Sequence, residues 1–134
     1  MDFTVAIPAF VELRQLLRSW LESRRARSEA EREAISVLLD AVTQTQIYLG
    51  DLEMRSAQGE IKPEAERPME RELARAWAKA SAAFMGIDKK MAPLLLLKSD
   101  AWARPKEWSD QRVREAGITI EDVSRLAQQL LAGD

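Results

Sequence analysis

Apolar side chains recur along most of this chain at intervals of three and four, the spacing that lines one face of an α-helix. Phe10, Leu13, Leu16, Leu17, Trp20 and Leu21 share such a stripe and predict a first helix over residues 8–25, with Glu12, Arg14, Arg18 and Glu22 turned elsewhere. Pro8 suits its first turn, where a missing N–H leaves no bond unmade. Ser28 with Glu31 three positions on reads as a capping box. It opens a second and longest helix over 29–57, whose core face carries Ala34, Ile35, Val37, Leu38, Ala41, Val42, Thr45, Tyr48, Leu49 and Leu52.

Gly59 and Pro63 mark 58–67 as a loop, and Pro68 reads as a helix opener. A third helix is expected over 68–85, buried along Leu73, Ala76, Trp77, Ala80 and Phe84 and ended by Gly86. Asp88 can cap a fourth over 89–98, with Ser99-Asp100 as its break; Pro93 lies at the edge of what a first turn tolerates and leaves a later start or a kink as the alternative. Leu94 to Leu97 is apolar all round. Pro105 and Gly117 bracket a short helix over 105–116. Thr119, with Asp122 as its box partner, opens a last helix striped by Ile120, Val123, Leu126, Ala127, Leu130 and Leu131. No alternating run is long enough to predict a strand. Short connections between long helices favour antiparallel neighbours. The expected fold is one all-α domain over 1–134, an up-down bundle of about four main helices with a smaller C-terminal helical cap.

Composition narrows the function. With 46% hydrophobic and 31% charged residues the chain is too apolar for a disordered segment. The net charge of −2 lacks the basic excess through which duplex DNA binders neutralise phosphate, so nucleic acid is a disfavoured partner. The absence of cysteine removes disulfides, thiolate nucleophiles and Cys-based zinc sites. The absence of histidine removes Ser-His-Asp and Cys-His catalysis and most transition-metal sites. The longest apolar run, 91–97, falls far short of the roughly 20 residues of a membrane span. The N-terminus lacks a positive region ahead of an apolar one. A cytoplasmic location follows as an expectation, and the preference for Arg and Ala suggests a GC-rich bacterium.

With histidine absent, carboxylates are the natural metal ligands. All-α nucleotide pyrophosphohydrolases hold Mg²⁺ through Glu-x-x-Glu pairs, and this chain has none. Glu107 and Asp110 form one Glu-x-x-Asp, and Glu66 and Glu70 stand four apart. These four are the candidates for a Mg²⁺-dependent enzyme acting on nucleotides. Helical ribonucleases of the HEPN type need an Arg followed by a His, so a chain of that class would be non-catalytic. Kinase, P-loop, Rossmann, zinc-finger, EF-hand and helix-turn-helix signatures are absent.

Three groups of residues stand out from the apolar pattern. Arg24, Arg25 and Arg27 are the nucleic-acid candidates, although Glu22, Glu29, Glu31 and Glu33 flank them and favour a solvated helix junction. Thr45, Tyr48 and Glu70 put polar groups on or beside buried stripes. Each needs a partner if buried: Thr45 its own i−4 carbonyl, and Tyr48 the Glu70 carboxylate or the rim. The functional alternative is a small polar pocket between helices two and three. Lys98, Trp102, Arg104 and Trp108 concentrate aromatic and basic groups typical of interface hot spots; otherwise the two tryptophans close one end of the bundle. The sequence thus leads to a non-catalytic helical protein-interaction module, self-associating or docking on a protein partner, with no catalytic residue, metal or cofactor. The alternatives are the Mg²⁺ carboxylate enzyme and a non-catalytic HEPN-like or nucleic-acid accessory protein.

Overall fold

The computed structural model describes residues 6–23, 27–104 and 108–132, with side chains from Val11 onward except at position 110. The chain is all-α. Its helices are α1 (Ala6–Ser23), α2 (Glu29–Ala57), α3 (Pro63–Phe84), α4 (Met91–Ala103) and α5 (Asp110–Ala132), and no strand occurs among the described residues.

Local signals account for α2. Ser28 Oγ accepts from Glu31 N at 3.1 Å while the Glu31 carboxylate accepts from Ser28 N at 2.9 Å, the reciprocal capping box. Beyond its C-terminus Gly59 adopts φ +70°, a conformation glycine reaches without steric cost.

Three boundaries depart from the sequence reading. α3 begins at Pro63 rather than Pro68, so Pro68 lies inside the helix. The added turn carries Glu66 opposite Arg55, which donates Nε to Oε2 at 3.0 Å and Nη2 to Oε1 at 2.6 Å. A bidentate charge-assisted pair of this kind offsets the one backbone bond that Pro68 withholds. α4 takes the later start that Pro93 favours, at Met91, and departs from the expected break by running through Ser99-Asp100. Asp88 Oδ1 accepts from Lys90 N and Met91 N at 2.8 and 3.0 Å, which leaves Pro93 in the first turn where no donor is needed. Ser99 Oγ donates to Ala74 O on α3 at 2.7 Å, so its hydroxyl ties helices together instead of competing for its own backbone.

α5 is the third departure, one helix where a stop at Gly117 was expected. Val113, Ala116, Ile120, Val123, Ala127 and Leu130 are buried at alternating intervals of three and four across the glycine. An interior glycine costs about 1 kcal/mol. Burying a single side chain such as Ile120 contributes about 1.5–3 kcal/mol, so packing prevails. Thr119 Oγ1 donates to Glu115 O at 2.9 Å as an interior residue and caps nothing. The start proposed at Pro105 lies outside the described residues.

The closely packed helix pairs form a ring in the order α1, α4, α3, α2, α5 and back to α1. α2 and α3 are antiparallel, pairing Arg55 with Glu66 and Thr45 with Trp77. α3 and α4 are antiparallel too, joined by Ser81 Oγ to Ala92 O at 2.8 Å and by Ser99 to Ala74. Trp20 Nε1 donates to Asp88 at 3.0 Å where α1 meets the start of α4. Arg32 reaches Leu131 O between α2 and α5, and Arg14 pairs with Asp122 at 2.9 Å between α1 and α5. α1 and α2, consecutive in the chain, are not neighbours in this ring. Leu17, Leu38, Leu73, Trp77, Leu95 and Val123 meet in the core. No described helix is long and apolar enough to cross a membrane.

Candidate functional site

Glu70 is 1% exposed and gathers three donors from three parts of the chain. Oε2 accepts from Tyr48 Oη at 3.1 Å and from Trp108 Nε1 at 2.9 Å, and Oε1 accepts from Arg67 Nη1 at 3.2 Å. α3 presents Glu70 one turn beyond Glu66, on the side facing α2. Arg67 Nη2 also donates to Ala103 O at the end of α4, at 2.9 Å. The Tyr48 phenol is pushed far above its ordinary range, first by burial and then by the negative charges of Glu70 and Glu66. Its hydroxyl therefore stays protonated and donating.

The aromatic rings close around this carboxylate. Tyr48 meets Trp102 edge to face, with centroids 5.8 Å apart and planes at 80°, and meets Trp108 at 6.4 Å and 66°. Trp102 and Trp108 lie 6.0 Å apart. Lys98 is buried with Nζ 5.2 Å from the centre of the Trp102 ring, a cation–π placement. Two sets that the sequence presents separately are thus one cluster: Tyr48 and Glu70 with Lys98, Trp102 and Trp108. Its effect on Lys98 and Trp102 is to withdraw them from the surface. Trp108 is half-buried, and of the four only Arg104 is exposed.

Thr45 is fully buried one turn of α2 away. It donates to Ala41 O at 2.8 Å, the bond expected of it, and accepts from Trp77 Nε1 at 2.9 Å, a partner the sequence reading missed. Among the nucleic-acid candidates, Arg24 and Arg25 lie outside the described residues. Arg27 turns back onto α1: it donates to Trp20 O and, at 3.2 Å, to Ser23 Oγ, with its guanidinium 5.5 Å from the Trp20 ring. That position satisfies the Trp20 carbonyl in the last turn of α1, where cations are favoured.

Of the four Mg²⁺ candidates, only Glu66 and Glu70 have described side chains. Both oxygens of Glu66 are held by Arg55, and both of Glu70 accept from the donors above. Glu107 lies outside the described residues, as does the Asp110 side chain. Among the described residues no three or more Asp and Glu side chains are grouped to hold a metal ion.

A feature absent from the sequence reading lies on the opposite side of α2. Thr43, Ile47, Gly50, Met54 and Ala57 are all exposed, at intervals of four and three, and none is charged. Ile47 and Met54 are 62% and 64% exposed. A groove of about 510 Å³ runs along one flank, between Ile47, Asp51 and Arg55 of α2 and Glu66 and Met69 of α3. A second groove of about 410 Å³ runs along the other, where Gly50 and Glu53 face Arg114, Ile118 and Glu121 of α5. Met69 is 48% and Ile118 68% exposed, so each groove has an apolar far wall. The five positions carry the three-and-four spacing of a helix-packing seam. That signal was present in the sequence, where the stronger inner stripe of α2 obscured it.

Comparison with known proteins finds no match to any family model, any curated protein or any solved structure. The described residues define an all-α bundle of five packed helices.

Proposed function

We propose that this chain is a non-catalytic helical module that docks on a partner protein through the outer face of α2. The single observation that carries the reading is the uncharged seam Thr43–Ile47–Gly50–Met54–Ala57, exposed along about four turns between two grooves. In a chain with 31% charged residues, an uncharged outer stripe on the longest helix is not an ordinary solvated face. Gly50 has no atom within 4 Å of where a Cβ would stand, so a partner helix can approach the backbone closely there. The cluster around Glu70 serves a different end in this reading. Glu70 accepts from Tyr48, Trp108 and Arg67, and Arg67 also reaches Ala103 O, so these bonds pin α2, α3, α4 and the segment entering α5 and keep the docking face rigid.

The test compares the native chain with an Ile47→Asp, Met54→Asp variant in affinity purification from the native cell, with size-exclusion light scattering alongside. Both positions are exposed, so the variant should match the native circular dichroism and melting temperature closely. The reading expects a stoichiometric partner that co-purifies with the native chain and is lost with the variant. A partner retained by the folded variant would overturn it.

A further inference from the structure

The charges beside the seam distinguish between the occupants it could accept, and we infer that it receives a cationic amphipathic helix and not a second copy of this chain. The inference rests on the docking face proposed above and adds the chemistry of its occupant.

Asp51 and Glu60 line the groove on the α3 side, and Glu53 and Glu121 line the groove on the α5 side. None of these four carboxylates makes an ion pair or side-chain hydrogen bond among the described residues. The cations within the same grooves are Arg55 and Arg114. Arg55 is committed to Glu66 through both its Nε and Nη2, and that partnership raises its pKa further above the ordinary guanidinium value. Arg114 lines the α5-side groove beside Glu53 and Glu121, and on the α3 side Asp51 acts on the committed Arg55 only through its charge, so four rim carboxylates face two arginines. The seam is thus apolar at its centre and acidic along both rims, the arrangement in which rim charges select the partner.

Self-association through this face would set α2 against α2 of another copy. The acidic rims would then oppose each other, and like charges across an interface are unfavourable in either helix direction. A helix with apolar residues every three or four positions and Lys or Arg beside them has the opposite pattern. Its apolar side chains would enter the grooves past Met69 and Ile118, and its cations would reach the rim carboxylates. Its closest approach would be at Gly50.

The experiment uses the full chain and two synthetic helical peptides of about 18 residues, long enough to follow the seam. Both carry Leu at the first and fourth position of each heptad. One has Lys and the other Glu at the flanking positions. Binding is read by fluorescence anisotropy at two salt concentrations and mapped by amide chemical-shift changes. The Lys peptide should bind, more weakly at high salt, with the shifts confined to α2 and the facing turns of α3 and α5. Its affinity should fall about tenfold or more with Ile47→Asp, and by a similar factor with Asp51→Lys, Glu53→Lys. The charge-reversed variant should gain affinity for the Glu peptide.

Preference of the native chain for the Glu peptide, abolished by Ile47→Asp, would overturn the inference and leave the docking face standing. Binding of neither peptide would also overturn it, with the docking face then decided by the co-purification experiment. A dimer in sedimentation that Ile47→Asp disperses would assign the seam to a second copy and reject the cationic helix. Binding of the Lys peptide that neither variant weakens would reject both the inference and the face.

Discussion

Trp108 donates its indole N–H to Glu70 from thirty-eight positions further along the chain, to the same Oε2 that accepts the hydroxyl of Tyr48. One carboxylate therefore fastens the approach to α5 onto α2 and α3. Glu70→Ala should cost about 3 kcal/mol, because it leaves Tyr48, Trp108 and Arg67 without this acceptor. Glu70→Gln keeps one carbonyl oxygen and should cost about 1 kcal/mol. Urea unfolding of the two variants measures both. Equal costs would mean that the cluster is held by ring packing and not by the carboxylate.

Tyr48 is the sole tyrosine, so its ionisation can be followed without interference from another phenol. Its folded pKa is raised, by burial first and then by the charges of Glu70 and Glu66. A raised folded pKa means that the folded chain holds the proton while the unfolded chain releases it. The contribution to stability is full below the unfolded phenol range near about 10 and declines as pH rises above it. Tyrosinate absorbance in an alkaline titration should appear together with loss of helix signal. A phenol that ionises near pH 10 in the intact fold would contradict the buried Tyr48–Glu70 bond.

Thr45 both donates to Ala41 O and accepts from Trp77 Nε1 in the centre of the bundle. Thr45→Val preserves the shape but leaves the Trp77 indole unsatisfied, at a cost of about 1–3 kcal/mol. Thr45→Ser keeps the acceptor and loses one buried methyl, at a cost of about 0.8 kcal/mol. Thermal melts of the pair should rank valine below serine. The opposite order would show that methyl packing matters more than the indole bond.

Gly117 and Gly50 are helical glycines with nothing within 4 Å of an added Cβ. Gly117→Ala should stabilise the chain by about 1 kcal/mol and raise the melting temperature by about 4 °C. Gly50→Ala should stabilise comparably yet weaken partner docking, since its new methyl lies on the seam. An increase in melting temperature with unchanged docking at Gly50 would remove close helix approach from the proposal.

Asp122 joins α5 to α1 through Arg14 at 2.9 Å. Its pKa is lowered chiefly by the hydrogen bond from Arg14, with the Arg125 charge adding and burial opposing. A lowered folded pKa contributes stability above the unfolded aspartate range, and that contribution is lost as pH falls through the folded value. Both side chains are a quarter or more exposed, so the effect is small. Asp122→Asn should lower the melting temperature slightly at neutral pH. It should match the native chain once the pH is well below the aspartate range. A difference that persists in acid would mean that Asp122 acts through packing.

The parts legible in the sequence are those set within a few residues. The Ser28–Glu31 box, the length of α2 and its inner stripe follow from neighbours three and four apart. The Thr45 back-bond is equally local, and the pairing of Tyr48 with Glu70 needed only two adjacent antiparallel helices. The departures have a shared cause. Pro68 as a local start signal and Gly117 as a local stop signal are overridden by distant partners, Arg55 for the first turns of α3 and the faces of α1 and α2 for α5. The convergence of Trp108 on Glu70 joins positions whose separation carries no periodic signal.

The sequence by itself determined the class of protein, an all-α chain of amphipathic helical segments, because hydrophobic periodicity and caps act over one or two turns. It also removed histidine and cysteine chemistry outright. Thr45, Tyr48, Trp77 and Phe84 already lie on core faces in the sequence pattern, but only the tertiary structure decided the burial of Lys98 and which stripe of α2 faces out. Lys98, Trp102 and Trp108 have the composition of a surface hot spot, but ring order and helix rotation turn Lys98 and Trp102 inward and seal Trp108 against Glu70. The same rotation leaves Ile47 and Met54 facing out. Which of two stripes on one helix is buried depends on the total apolar area its neighbours can cover, a property of the whole bundle that no window of the sequence contains.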